Sequence, residues 1–147
     1  MKQYRIAALV LFVTSLWLPA YAHHIAVVVQ QQNPTESLTS PELAKIFKSE
    51  TRKWPNGADV RVVLNRNSAA AFQVLERLAH MPAPTAKTFI AKHKNFFLLA
   101  NSNAEVLRLV SSNRGALGLV DVRAVDSTIK VVKVDGKLPL QKAYLPD

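Results

Sequence analysis

The 147-residue chain contains no cysteine. Disulfide bonds, a cysteine nucleophile and a lipid-modified N-terminal cysteine are therefore excluded. Catalytic signatures are missing as well, since there is no G-x-S-x-G elbow, no P-loop and no H-E-x-x-H zinc motif. We do not expect an enzyme. The fold has to be stabilised by an apolar core, and 49% hydrophobic residues is a composition typical of globular domains.

Long apolar runs are also scarce. The longest, residues 6–18, has 13 residues, whereas a helix that spans a membrane needs about 20. Lys2 and Arg5 precede this run, and the small residues Ala20 and Ala22 follow it. A basic start, a short apolar stretch and an A-x-A end are typical of a secretory signal peptide. We therefore predict a signal peptide over residues 1–22 and a periplasmic protein without a lipid anchor.

The mature chain, residues 23–147, has few acidic side chains. Without Lys2 and Arg5 it keeps 17 basic residues against 10 acidic ones. Cytosolic proteins of such charge often bind nucleic acid, but we expect no nucleic-acid partner for an exported protein. Small anions, anionic lipids and acidic cell-wall polymers fit the charge, which also favours solubility. The length suits a single domain.

What the chain does contain is an alternation of strand and helix patterns. Runs rich in β-branched residues predict strands, and apolar residues three and four apart predict amphipathic helices. The predicted strands cover residues 24–31, 60–65, 115–120 and 128–134. The predicted helices lie within residues 37–50, where Thr39 is the N-cap, within residues 85–94, and within residues 101–113, where Ser102 or Asn103 is the cap, and one more begins near Ser68. The apolar residues 96–100 fit either type. This order predicts a single α/β domain with a mixed sheet.

The segment NRNSAAAFQVLERL, residues 65–78, holds the candidate functional site. A helix that begins near Ser68 leaves its first N–H groups without intrahelical partners, at the positive end of the helix dipole. Such a terminus can bind an anion. Ser68 adds a hydroxyl donor, Arg66 adds a bidentate charge-assisted pair, and Ala69 and Ala70 leave the approach unobstructed. The alternative is that Ser68 is an ordinary N-cap before ordinary helix formers.

Several short motifs, taken in order, resemble a known family. They are IAVVVQ, SLTSPELAKIF, the tryptophan of RKWPNG, the segment RNSAA and GALGLV. Over residues 24–136 the chain resembles the phosphate ABC transporter substrate-binding proteins, and more closely the small exported proteins built from part of that fold. The resemblance implies a fold like the second lobe of a type II periplasmic binding protein. It also implies that Arg66, Ser68, Ala69 and Ala70 bind the ligand.

The chain departs from that family at points that bear on ligand binding. Members with a complete site have two lobes and about twice this mature length, with the ligand between the lobes. The first-lobe carboxylate that accepts a proton from phosphate has no counterpart here. The family's S-G-T becomes Ser68-Ala69-Ala70, which removes a hydroxyl and adds a methyl where the backbone approaches the ligand. Arg66 also stands closer to the serine than in the family.

The resemblance implies an exported solute-binding protein for phosphate or another small oxyanion, as an accessory to an ABC importer and without a cofactor. Its partners would be the anion and a membrane transporter or another envelope protein. The alternative is an envelope interaction module that kept the fold and lost the ligand. The two hypotheses differ in whether Arg66 and the Ser68 helix start share an unfilled concave pocket.

Several other polar and aromatic residues are assigned structural roles. Thr39 and Glu42 match a capping box at the start of the first helix. Trp54 is expected to anchor packing. Asp121 and Asp126 flank a predicted turn, where we expect them to be solvated or to cap backbone N–H groups.

The histidines suggest one metal hypothesis. After signal cleavage His23 would be the N-terminal residue, able to chelate copper through its amine and ring, with His24 beside it. His80 and His93 are the other available ligands. Their spacings do not match those of zinc or copper sites, so no metal is expected.

Overall fold

The computed structural model describes residues 24–145, so the signal-peptide prediction for residues 1–22 and the role of His23 lie outside the described residues. The strands are β1 (Ile25–Gln30), β2 (Ser37–Leu38), β3 (Arg61–Asn65), β4 (Phe97–Ala100), β5 (Ala116–Asp121), β6 (Ile129–Val131) and β7 (Lys133–Val134). The helices are α1 (Ser40–Phe47), α2 (Ala69–Ala79), α3 (Ala83–Lys92) and α4 (Asn103–Ser112), and a 3-10 helix, Val122–Ala124, follows β5.

Five strands form one mixed sheet in the order β4-β3-β5-β1-β6. β3 is parallel to β4 and β5, whereas β1 is antiparallel to β5 and β6. β2 and β7 form a separate parallel pair. The predicted α/β domain with a mixed sheet is confirmed. Because β3 and β4 are parallel neighbours, their carboxyl ends lie at the same edge of the sheet, where α2 and α4 begin.

Apolar layers cover both faces of the sheet, which explains why its central strands are unbroken apolar runs. On one face α1, α2 and α3 contribute Leu43, Leu75 and Ile90 to the core. On the other face α4 contributes Val106 and Val110. None of the helices within residues 24–145 combines the length and the apolar character needed to cross a bilayer.

Two glycines allow close approaches that a side chain would prevent. A Cβ at Gly118 of β5 would lie 2.7 Å from a Val110 methyl carbon and 2.9 Å from one of Val106. A Cβ at Gly115 would lie 1.8 Å from the Asp59 carbonyl oxygen. The Gly115 carbonyl in turn accepts a hydrogen bond from the Trp54 indole N–H at 2.9 Å. Trp54 is 5% exposed, which confirms it as a packing anchor.

The local capping predictions are confirmed. Thr39 Oγ1 accepts a hydrogen bond from the Glu42 N–H at 3.2 Å, and Glu42 Oε1 accepts one from the Thr39 N–H at 3.1 Å. The side chain of Asp121 caps the 3-10 helix. Asp126 Oδ1 accepts a bond from the Thr128 N–H at 2.9 Å. These hydrogen bonds between residues close in sequence fix where α1 and the turn after β5 begin.

The strand predicted over residues 128–134 is wrong as a single element. It is divided at Val132 into β6 and β7, which belong to different sheets. The Val132 N–H donates to the Val27 carbonyl at 2.8 Å, and the Val132 carbonyl accepts from the Tyr144 hydroxyl. That hydroxyl also accepts from the Val27 N–H at 3.2 Å. Burial raises the pKa of Tyr144 to about 12. The phenol hydroxyl thus lies between the Val27 N–H and the Val132 carbonyl, where a direct ladder bond would otherwise extend β6 by a fourth residue.

Two other boundaries differ from the prediction or complete it. Residues 96–100, which fit either type, contain the edge strand β4. The helix predicted over residues 85–94 begins earlier, at Ala83, because Pro84 lies in its first turn, where a missing N–H costs no intrahelical bond. Ser102 is the N-cap of α4.

Candidate anion site

The candidate site lies where β3 and β4 end and α2 and α4 begin. Asn65, the last residue of β3, is 7% exposed. Its Oδ1 accepts a hydrogen bond from the Asn67 N–H at 2.9 Å, and its Nδ2 donates to Asn103 Oδ1 of α4 at 3.5 Å. The Asn67 side-chain amide donates to the Asn101 carbonyl at 2.8 Å. Asparagine amides therefore hold the two helix starts together.

Ser68 is the N-cap of α2, as predicted. Its Oγ accepts a hydrogen bond from the Ala71 N–H at 3.2 Å, and its own N–H donates to the Asn65 carbonyl at 3.0 Å. The hydroxyl proton is not used in the capping bond. Within residues 24–145 the N–H groups of Ala69 and Ala70 have no acceptor. Ser68 can therefore cap the helix and still donate to a bound anion.

Arg66 is fixed through its backbone and exposed through its side chain. Its N–H donates to the Ala100 carbonyl at 2.9 Å, which extends the β3–β4 ladder by one bond. Its guanidinium forms no ion pair with any side chain of the described part of the chain. Arg66 and Ala69 line the same open groove, which has a volume of about 650 Å³. Ser68 and Ala70 lie outside its walls, so the structure brings two of the four predicted residues into one concavity.

The start of α2 differs electrostatically from those of α1 and α4. Glu42 and Glu105 lie in the first turns of α1 and α4, where their carboxylates accept N–H bonds from Thr39 at 3.1 Å and Asn101 at 3.0 Å. The first turn of α2 contains no acidic residue. The positive end of its dipole therefore has no side-chain counter-charge, and a bound anion would supply one.

Asn65 and Asn67 were not predicted as site residues, although a local signal exists for one of their contacts. An asparagine between a strand and an N-cap commonly bonds the backbone two residues further on, as Asn65 does with the Asn67 N–H. The long-range bond from Asn65 to Asn103 has no such signal, because it depends on β4 lying beside β3.

His93 and His80 have structural roles. His93 Nδ1 lies 2.7 Å from the Phe89 carbonyl oxygen, and the His93 and Phe89 ring centroids are 4.1 Å apart. His80 ends α2 in the left-handed conformation, with φ of 53°. Within residues 24–145 no group of three or more metal-ligating side chains is arranged to hold an ion. His23, on which the copper hypothesis depends, is not among them.

Comparison with known proteins identifies the family. Residues 16–146, most of the chain, match the model of the PBP superfamily domain. No curated protein is significantly similar in sequence.

Solved structures share the fold. An ABC-type phosphate transport receptor from Vibrio cholerae matches with a TM-score of 0.63 and 24% identity, over 79% of this chain and 48% of that one. A protein from Clostridium perfringens, described as a phosphate ABC transporter substrate-binding protein and crystallised with bound phosphate, gives 0.65 and 20% over 79% and 46%. A phosphate-binding protein from Stenotrophomonas maltophilia gives 0.59 and 17% over 80% and 40%. At these identities the similarity shows the fold, and this chain spans less than half the length of each structure.

Proposed function

This chain belongs to the family defined by the PBP superfamily domain, and we propose that it is an exported binding protein for phosphate or a similar small oxyanion. The proposal extends to this chain what the Vibrio cholerae and Clostridium perfringens proteins are named for. The observation that carries it is the start of α2. There the N–H groups of Ala69 and Ala70 have no acceptor among the described residues, Arg66 stands beside them, and the first turn contains no carboxylate.

A tetrahedral oxyanion is chemically suited to this helix start. Two of its oxygens would accept from the N–H groups of Ala69 and Ala70, and the Ser68 hydroxyl would donate a third bond. The planar guanidinium of Arg66 would add a charge-assisted pair that neutralises the anion. Because the first turn of α2 offers no carboxylate to accept the proton of hydrogen phosphate, we expect sulfate to compete with phosphate.

The described residues supply one wall of such a site. Arg66 and Ala69 are exposed, so water and salt screen the anion from these donors. We expect a dissociation constant of about 1 mM for this lobe alone, which corresponds to a binding free energy of only about 4 kcal/mol. A second protein surface that closed over the start of α2 would raise it by excluding water. We therefore assign the chain an accessory role beside an ABC importer in the periplasm, with a transporter or another envelope protein as partner.

Isothermal titration with phosphate at low ionic strength tests the proposal. The wild-type chain should bind phosphate saturably, and sulfate should displace it. Arg66→Ala should weaken binding by at least about tenfold, since it removes the charge-assisted pair. Arg77→Ala is the matched control, because Arg77 is exposed and lies in the last turn of the same helix. It removes the same charge at the opposite end and should leave binding unchanged.

The control also separates the site from general charge. Equal losses in the two variants would show that phosphate responds only to net charge, and the α2 site would be rejected. Absence of any binding at phosphate concentrations well above about 1 mM would leave Ser68 as a cap alone, and the interaction module would then become the working hypothesis.

A further inference from the structure

One edge of the five-stranded sheet is open. β4 is the last strand on its side and pairs only with β3 among the described residues. Exposed edges present unpaired N–H and C=O groups to which another extended chain can bond. Proteins commonly protect such edges with proline, charge or a covering element, whereas β4 reads Phe-Leu-Leu-Ala.

The ladder shows which backbone groups of β4 point outward. The carbonyls of Phe96 and Ala100 accept bonds from β3 and from Arg66 directly after it, each at 2.9 Å. Successive residues of a strand direct their N–H and C=O to opposite sides. The backbone N–H and C=O groups of Phe97 and Leu99 therefore point toward the open edge. The Phe97 N–H donates to the His93 carbonyl at 2.9 Å. The Phe97 carbonyl and the N–H and C=O of Leu99 therefore remain available to bond with an added chain.

An apolar groove lies beside this edge, between β4, α2 and α3. It is the concavity that Arg66 and Ala69 border at one end. Its floor and walls include Phe72, Ile90, Phe97 and Leu99. Leu99 is 38% exposed, one of three large hydrophobic residues that are prominently exposed within residues 24–145. The side chains of a strand added to β4 would point alternately into this groove.

The rim of the groove is positively charged. Arg66, Lys87 and Lys94 line it, against a single carboxylate, Glu76. Neither lysine forms an ion pair with a described residue. Arg66 lies just beyond the carboxyl end of β3, beside Ala100, whereas Lys94 precedes β4. Cations therefore stand at both ends of the open edge, which spans about 13 Å for its four residues.

We propose that β4 and this groove bind an extended segment of a partner protein, in which acidic residues flank a short apolar run. The backbone of the segment would bond to Leu99 and Phe97, as in β-strand addition. Its alternate apolar side chains would fill the groove, and its flanking carboxylates would pair with Arg66 at one end and Lys94 at the other. The segment does not use the N–H groups of Ala69 and Ala70, but it shares Arg66 with the proposed phosphate site. Its backbone bonds to Leu99 and Phe97 and its contact with Lys94 are separate from that site.

Fluorescence anisotropy with a labelled synthetic peptide tests the charge and sequence requirement. The peptide has paired glutamates on both sides of an alternating valine and leucine run, and its control has lysines in place of the glutamates. The acidic peptide should bind saturably and the lysine peptide should not. Lys94→Glu should weaken binding at least about tenfold, whereas Lys133→Glu, the same change at an exposed position on β7, should have no effect. Equal binding of the two peptides, or no difference between the two variants, would overturn the proposal.

A second variant tests the backbone contact. Leu99→Pro removes an N–H that points away from β3, so the bond ladder to β3 is kept. The variant should lose the acidic peptide while its circular dichroism spectrum and its phosphate titration stay at wild-type values. Amide NMR of the wild type should show the peptide shifting the Leu99 resonance. If instead the unliganded chain dimerises in sedimentation and Leu99→Pro makes it monomeric, a second copy occupies the edge and the partner-segment proposal is rejected.

Discussion

The starts of α2 and α4 lie side by side and are capped in the same way, yet only one of them has its own counter-charge. Ser68 and Ser102 accept bonds from the third N–H of their helices, at 3.2 Å and 3.1 Å. Glu105 then places a carboxylate in the first turn of α4 and accepts the Asn101 N–H at 3.0 Å. The first turn of α2 has alanines there and no acid.

This difference separates two properties that are often treated as one. A serine N-cap satisfies one backbone donor, but it does not neutralise the helix dipole. At the start of α4, Glu105 accepts a backbone N–H bond and also neutralises the positive end of the helix dipole. We call this start closed, because it already has its own counter-charge. α2 is capped but electrostatically open, and Arg66 increases its positive potential. The open start is therefore the one of the pair that an external anion would stabilise.

The largest expected effect comes from breaking the junction that holds the two starts together. Asn65→Ala removes the acceptor of the Asn67 N–H and the donor to Asn103, and leaves a small cavity. Loss of these two partly buried hydrogen bonds, together with the cavity, should lower the free energy of unfolding by about 2 kcal/mol. Urea unfolding measures it.

Asn67→Ala is the comparison for that variant, because the Asn67 side chain is exposed and makes one bond, to the Asn101 carbonyl. It should cost less than about 1 kcal/mol. Equal losses in the two variants would contradict a junction centred on Asn65.

The next largest effect is expected from giving the first turn of α2 an acidic side chain, as α4 has. Ala69→Glu puts a carboxylate into the first turn, where it should raise the free energy of unfolding by about 0.5 kcal/mol. The same charge should compete with phosphate and weaken its binding by about tenfold or more. Stability and binding should thus change in opposite directions, as measured by urea unfolding and calorimetry. Gln73→Glu adds the charge one turn further along and should affect binding far less; a similar loss there would argue against a site at the helix start.

The sequence predicts these helix starts because their signals are local. The capping box of Thr39 and Glu42 and the cap at Ser68 each lie within four residues, and the structure confirms them. The strand β1 and the buried Trp54 are likewise expected from short apolar patterns.

What escapes prediction depends on contacts between distant residues. The division of the last strand follows from the Tyr144 hydroxyl, which bonds to Val27 and Val132. The link from Asn65 to Asn103 requires β4 to lie beside β3. No periodicity encodes these pairs, so the sequence predicts the start of α2 at Ser68 but not the junction that positions it.

A smaller effect on phosphate binding distinguishes the two serine caps. Ser68→Ala and Ser102→Ala should each cost about 1 kcal/mol in urea unfolding, because each leaves one N–H of the first turn without its acceptor. Phosphate titration should separate them. Ser68→Ala removes a proposed donor and should weaken binding, whereas Ser102→Ala, at the closed start, should not. Equal weakening would mean that phosphate responds to the stability of the whole junction.

The smallest effect concerns α1, whose start has a second carboxylate besides Glu42. Asp135 accepts bonds from the Ser40 hydroxyl and from the Ser40 N–H, the latter at 2.8 Å. The hydroxyl bond and then the N–H bond hold the pKa of the Asp135 carboxyl below its ordinary value. A lowered pKa in the folded state stabilises the fold above the ordinary value, near pH 4, and the contribution is lost as the pH falls through the folded pKa. Asp135→Asn should therefore be slightly less stable than wild type at pH 7, and the difference should shrink below about pH 4. Urea unfolding across this range measures it, and a gap that does not change with pH would show that the charge of Asp135 contributes nothing at this helix start.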